Sequence, residues 1–139
     1  MRIALVALAF AFTSACDSAS PISRPGGATG DAVTLRVDRT QVRRGETVDL
    51  VLTNENRRSI NLGNLSCAVV ERLDGGVWTS RPADNPHGCT FELYVLPQDE
   101  TLRARRALDV EPGTVRFGHG FEFEGGGGVV WSPPVRVLH

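Results

Sequence analysis

Apolar and polar residues alternate with a period of two through most of the chain beyond residue 32. Val33, Leu35 and Val37 are separated by Thr34 and Arg36, and Val48, Leu50 and Leu52 stand between Thr47, Asp49, Val51 and Thr53. Each run predicts a strand with one buried face. Leu65, Cys67, Val69 and Val70 open a third strand, which Asp74-Gly75-Gly76 returns into Val77-Trp78-Thr79. Asp-Gly between apolar runs is a strong hairpin signal. Phe91, Leu93 and Val95 form the next strand. After the break at Pro97–Glu100, Leu102, Ala104, Arg106 and Leu108 share one face. Pro112-Gly113 leads into Val115, Phe117, Phe121 and Phe123. Gly125 to Gly128 read as a mobile hairpin tip before Val129-Val130-Trp131. Pro133-Pro134 marks the last strand, with Val135 and Val137, as an edge or a bulge. The sum is seven to nine short strands, no helical period, and a turn signal roughly every ten residues, which predicts an all-β antiparallel sandwich over residues 32–139.

The first 31 residues follow another pattern. Arg2 precedes the apolar run Ile3 to Phe12, which Thr13-Ser14-Ala15 closes with small residues. The run falls short of the ~20 residues that a spanning helix needs, and its layout is that of a secretory signal over residues 1–15. Asp17 to Asp31 is rich in Ser, Pro, Gly and Ala with one isolated Ile22, so residues 16–31 read as a flexible tether.

A chain of 139 residues accommodates one domain with appendages. All 15 cationic side chains are Arg, and the formal net charge is −1. No basic field is present to hold nucleic acid, so no nucleic-acid partner is expected. The arginines at 39, 43, 44, 57, 58, 103 and 105 are expected on solvated faces. Arg106 falls in phase with apolar neighbours, so it is either buried against a carboxylate or turned out by a bulge. His119 and His139 are expected at the surface. His87-Gly88-Cys89 with Asp84 nearby lacks the two-plus-two spacing of a metal site. No nucleophile, zincin or phosphate-loop motif occurs. Neither a catalytic site, a metal nor a cofactor is expected.

The small residues directly before Cys16 resemble the lipobox of bacterial lipoproteins, although Thr13 stands where that family prefers Leu. The resemblance implies diacylglycerol on the Cys16 sulfur, cleavage before it and acylation (palmitate or a similar chain) of its new amino group. The protein would then be held in the bacterial cell envelope by lipid, facing the periplasm or the exterior. Ordinary secretion with a free Cys16 is the alternative. Asp17 resembles the signal that retains some lipoproteins in the inner membrane. With Cys16 so assigned, Cys67 and Cys89 remain of the three cysteines, and an exported chain would join them.

Leu52-Thr53-Asn54, the Trp78 hairpin, Leu96-Pro97 with Glu100-Thr101, and Pro112-Gly113 before Val115-Arg116-Phe117 resemble bacterial Ig-like domains and the similar intracellular proteinase inhibitor family. Val115 stands where that family carries a tyrosine. The resemblance implies an Ig-like sandwich but transfers no activity. The expected function is a non-enzymatic binding or envelope-structural module with an unknown protein or glycan partner, using loop residues Arg81, Asp84, His87 and Trp131. A proteinase inhibitor presenting the loop Arg81 to Gly88 is the second expectation, and an enzyme or enzyme accessory subunit the third.

Overall fold

The computed structural model describes residues 33–84, 89 and 92–139. The expected signal, the Cys16 lipidation site, the tether, His87 and Phe91 lie outside the described residues. Eleven strands follow in order: β1 Val33–Val37, β2 Gln41–Arg43, β3 Thr47–Asn54, β4 Ile60–Leu62, β5 Val69–Asp74, β6 Val77–Ser80, β7 Tyr94–Leu96, β8 Thr101–Ala107, β9 Gly113–Phe123, β10 Gly126–Trp131 and β11 Val135–Leu138. Two 3-10 turns, Leu65–Cys67 and Pro82–Asp84, are the helical elements among the described residues.

The strands form two sheets. The smaller has the order β1-β3-β8, with Leu35 opposite Leu52 and Leu52 opposite Leu102. The larger is built on β9, whose first half lies between β5 and β11 and whose second half lies between β4 and β10. Outer neighbours are β6 on β5, β7 on β4 and β2 on β11. The strand count exceeds the expected seven to nine because three strand paths are interrupted. A turn splits β1 from β2, residues 63–68 split β4 from β5, and Ser132-Pro133-Pro134 splits β10 from β11. One pair departs from the expected antiparallel pattern: β2 runs parallel to β11. The first path leaves the small sheet at Asp38 and pairs its second half with the last strand of the other. Two sheets of this order, closed by that crossover, make an Ig-like sandwich.

The alternation read from the chain decides the core. Leu35, Val48, Leu50 and Leu52 face Ile60, Val70, Val115, Phe117, Val135 and Val137, all buried. Burial of each such side chain stabilises the fold by about 1.5–3 kcal/mol. Gly75 and Gly76 both adopt positive φ, 57° and 87°, as the expected two-residue hairpin between β5 and β6 requires. The glycine run does not form a hairpin tip. Gly125, at φ 90°, closes the turn, while Gly126 to Gly128 pair with β9 inside β10. The Phe123 and Phe121 rings lie across Gly126 and Gly128, supplying from the neighbouring strand the side-chain cover that β10 lacks.

Two arginines point inward. Arg106 is buried as its phase required, but its partners are main-chain carbonyls of Ala68 and Asp84 and not a carboxylate. Arg72 donates likewise to the carbonyls of Glu111 (2.6 Å) and Pro112 (3.1 Å). The planar guanidinium fork suits this task, satisfying two carbonyls at once. Burial lowers the pKa of Arg106 to about 10, so it remains charged at neutral pH.

Candidate functional site

The two sheets turn very different surfaces to solvent. The outward positions of the small sheet are Thr34 and Arg36 on β1, Thr47, Asp49, Val51 and Thr53 on β3, and Thr101, Arg103, Arg105 and Ala107 on β8. Asp49 and Arg105 pair there at 3.4 Å. This is an ordinary solvated face. The outward positions of the larger sheet instead include Val69 and Leu73 on β5, Trp78 on β6, Val95 on β7, Gly118 and Gly120 on β9, and Val129 and Trp131 on β10. Leu93, Val95 and Val129 are 76%, 64% and 57% exposed. A row of exposed apolar side chains along one sheet face marks an interaction surface more often than a solvated one.

At its centre stands Arg116. Its guanidinium lies 4.4 Å from the Trp78 ring centre and 4.1 Å from that of Trp131. Glu71, directly opposite on β5, accepts from Arg116 Nη2 at 2.6 Å and from Nε at 2.9 Å. Cation–π contacts of this kind contribute roughly 0.5–2 kcal/mol each. Trp131 reaches this position because Gly118 is bare: a Cβ there would overlap the indole. Trp131 thus belongs to a sheet face and not to a loop tip.

Beyond Trp131 the face dips into a groove of about 660 Å³, lined by Asn61, Gly63, Leu93, Gly120, Gly127 and Val129 among others. Glycines make much of its lining, beside the aliphatic Leu93 and Val129 and the polar Asn61 and Glu122. On the inward side of β9, His119 is 8% exposed, and its Nε2 lies 3.2 Å from the Gly63 carbonyl. It is therefore not at the surface as the chain suggested. Burial draws its pKa below the usual histidine value, and the carbonyl contact offsets part of that.

Three of the four expected loop residues are described. Arg81 is ion-paired with Asp74 at 2.6 Å, the Asp84 carbonyl is engaged by Arg106, and Trp131 stands on the larger sheet's outer face. Cys67 and Cys89 are joined as expected, with Cα atoms 5.9 Å apart. No group of three or more metal-ligating side chains occurs among the described residues, and no helix there is long and apolar enough to cross a membrane. Sequence reading missed Glu71, Trp78 and Arg116 because they lie on three strands that meet only after folding. The available signal was an Arg and a Trp at outward positions of neighbouring strands.

No protein-family model matches the chain, and no curated protein matches it in sequence. Among solved structures it is similar to a structural genomics target, SoR45, at 16% identity and TM-score 0.47, covering 78% of this chain and 88% of that one. It is also similar to the alkylpurine DNA glycosylase AlkC of Pseudomonas fluorescens, at 9% identity and TM-score 0.42, covering 78% of this chain and 30% of that one. A third likeness is to a β-glucosidase of Listeria innocua, at 18% identity and TM-score 0.38, covering 77% of this chain and 16% of that one. All three TM-scores lie below 0.5, so nothing about this chain follows from them.

Proposed function

We propose that the chain is a lipid-anchored extracytoplasmic binding module that catalyses nothing and engages a partner protein with the outer face of its larger sheet. The observation that carries this reading is the cluster of exposed apolar side chains, Val69, Leu73, Val95 and Val129, around the Trp78–Arg116–Trp131 stack on the larger sheet, which the polar outer face of the smaller sheet lacks. A protein partner suits the face better than a glycan. Sugars stack on open aromatic faces, whereas Arg116 lies against both indoles here, and the most exposed groups are aliphatic. The anchor rests on the lipobox resemblance at Cys16, and the oxidising compartment it implies agrees with a Cys67–Cys89 bridge.

The test is capture from envelope extracts by the full chain, compared with Val129→Asp and Leu93→Asp on the apolar face and Arg105→Glu on the polar one. A specific partner should be lost with the first two and kept with the third. Capture indifferent to both apolar-face changes would sink the proposed face. Intact mass of the mature chain tests the anchor separately, and an unmodified Cys16 would remove it.

A further inference from the structure

Strand β10 has a free edge. The two-residue turn Glu124-Gly125 makes Phe123 and Gly126 a hydrogen-bonded pair, so Gly126, Gly128 and Val130 exchange their main-chain bonds with β9. Ser132 continues the series, its N–H donating to the Phe117 carbonyl at 2.8 Å. The intervening Gly127, Val129 and Trp131 therefore turn N–H and C=O away from β9. Among the described residues no strand pairs with that side: β2 joins the larger sheet only along β11, and β1 takes its partners from β3. Two of the other edges are guarded. Strand β7 has only three residues, and β8 carries the exposed Arg103 and Arg105. Strand β10 has six residues with neither a charge nor a proline. A flat, uncharged, unpaired edge is a template for another strand.

We infer that the occupant is a second copy of this chain, bound by antiparallel pairing of β10 with β10 about a two-fold axis at Val129. This inference does not depend on the outer-face reading. Its basis is self-complementarity. An antiparallel register centred on Val129 sets Val129 against its own copy and Gly127 against the second copy's Trp131. All three outward-facing positions then find partners, each pair exchanging two hydrogen bonds, while a shift in either direction leaves groups unpaired. Gly127 brings no side chain to meet the indole opposite. The interface is isologous, so it closes at a dimer.

Charge agrees with the register. The pairing brings the exposed turn residue Glu124 alongside the second copy's Pro133-Pro134, where Arg36 and Arg39 line a small cleft. Arg39 is held by Asp38 at 2.6 Å, while Arg36 makes no ion pair among the described residues. Arg58 binds the Glu124 carbonyl at 3.1 Å and steadies the turn. Arg36 is thus the cation that meets the second copy's Glu124.

Sedimentation of the full chain in detergent tests this. The wild type is expected to be a dimer. Val129→Pro should be a monomer with an unchanged circular-dichroism melt, because the N–H it deletes has no strand partner among the described residues. Val129→Lys places like charges on the axis and should also give a monomer, which keeps the test valid if the proline variant misfolds. Glu124→Arg should weaken association roughly tenfold, and adding Arg36→Glu should restore it. A wild type still monomeric at about 100 µM overturns the inference. So does a dimer that survives both Val129 variants, or assembly that continues past the dimer. A dimeric wild type that captures no partner, or whose capture is unmoved by Leu93→Asp, would count against the proposed function alone.

Discussion

Asn54 is fully buried at the end of β3, and its side-chain amide donates to the carbonyls of Arg58 (2.8 Å), Leu96 (3.0 Å) and Pro97 (3.0 Å). Its Oδ1 accepts from the Asn56 N–H at 3.0 Å, and its main chain exchanges bonds with Asp99 and Glu100. One side chain thereby ties two loops to the sandwich. Asn54→Leu keeps the volume but strands these carbonyls, and should cost about 3 kcal/mol in urea unfolding. His119 makes a prediction with a sign. Its folded-state pKa is depressed from 6.5, so the unfolded chain binds the proton more readily. Stability is therefore full above that value, falls as pH drops through it, and levels off below the folded pKa. Melting temperatures from pH 8 to 5 should show the fall, and His119→Gln should flatten it. The carboxyls of Asp38 and Asp74, lowered chiefly by hydrogen bonds from Arg39 and Thr79, act only at lower pH, near and below 3.8. The phase of Arg106 was legible in the chain, but its carbonyl partners were not, since Ala68 and Asp84 approach it only through the packing of the two sheets.

At the scale of elements, β9 and β10 carry the candidate site, and two glycines of β9 make opposite predictions. Gly118→Ala drives a methyl group into the Trp131 indole and should lift it off Arg116. The expected outcome is a shift in tryptophan fluorescence and a loss of about 1–3 kcal/mol. Gly120→Ala meets nothing nearer than the Gly128 carbonyl oxygen at 4.0 Å and should be neutral or slightly stabilising, through a less flexible unfolded chain. The same pair of strands explains why Gly125 to Gly128 was misread. Glycine signals a turn when considered alone, but here the Phe121 and Phe123 rings cover the bare strand from the neighbour. That information is cross-strand and absent from any local window.

For the whole molecule, the Cys67–Cys89 bridge closes a loop of sequence separation 22. In the chain-entropy model it stabilises the fold by on the order of 3 kcal/mol. Reduction, or paired Cys→Ser changes, should lower the urea midpoint accordingly while the strand signal in circular dichroism persists, because most of the buried core, including Leu35, Leu50, Leu52, Val115 and Phe117, lies outside the Cys67–Cys89 loop. Alternation of apolar and polar residues was enough to determine an all-β sandwich, most of its strands and its core, because a period of two is a local property of strands. The Asp-Gly hairpin was legible for the same reason. Tertiary structure decided the parallel β2–β11 pair, the burial of His119 and Arg72, and which of two solvent faces became apolar. Each depends on which strands become neighbours, and alternation says only that a residue faces out, not what will stand beside it.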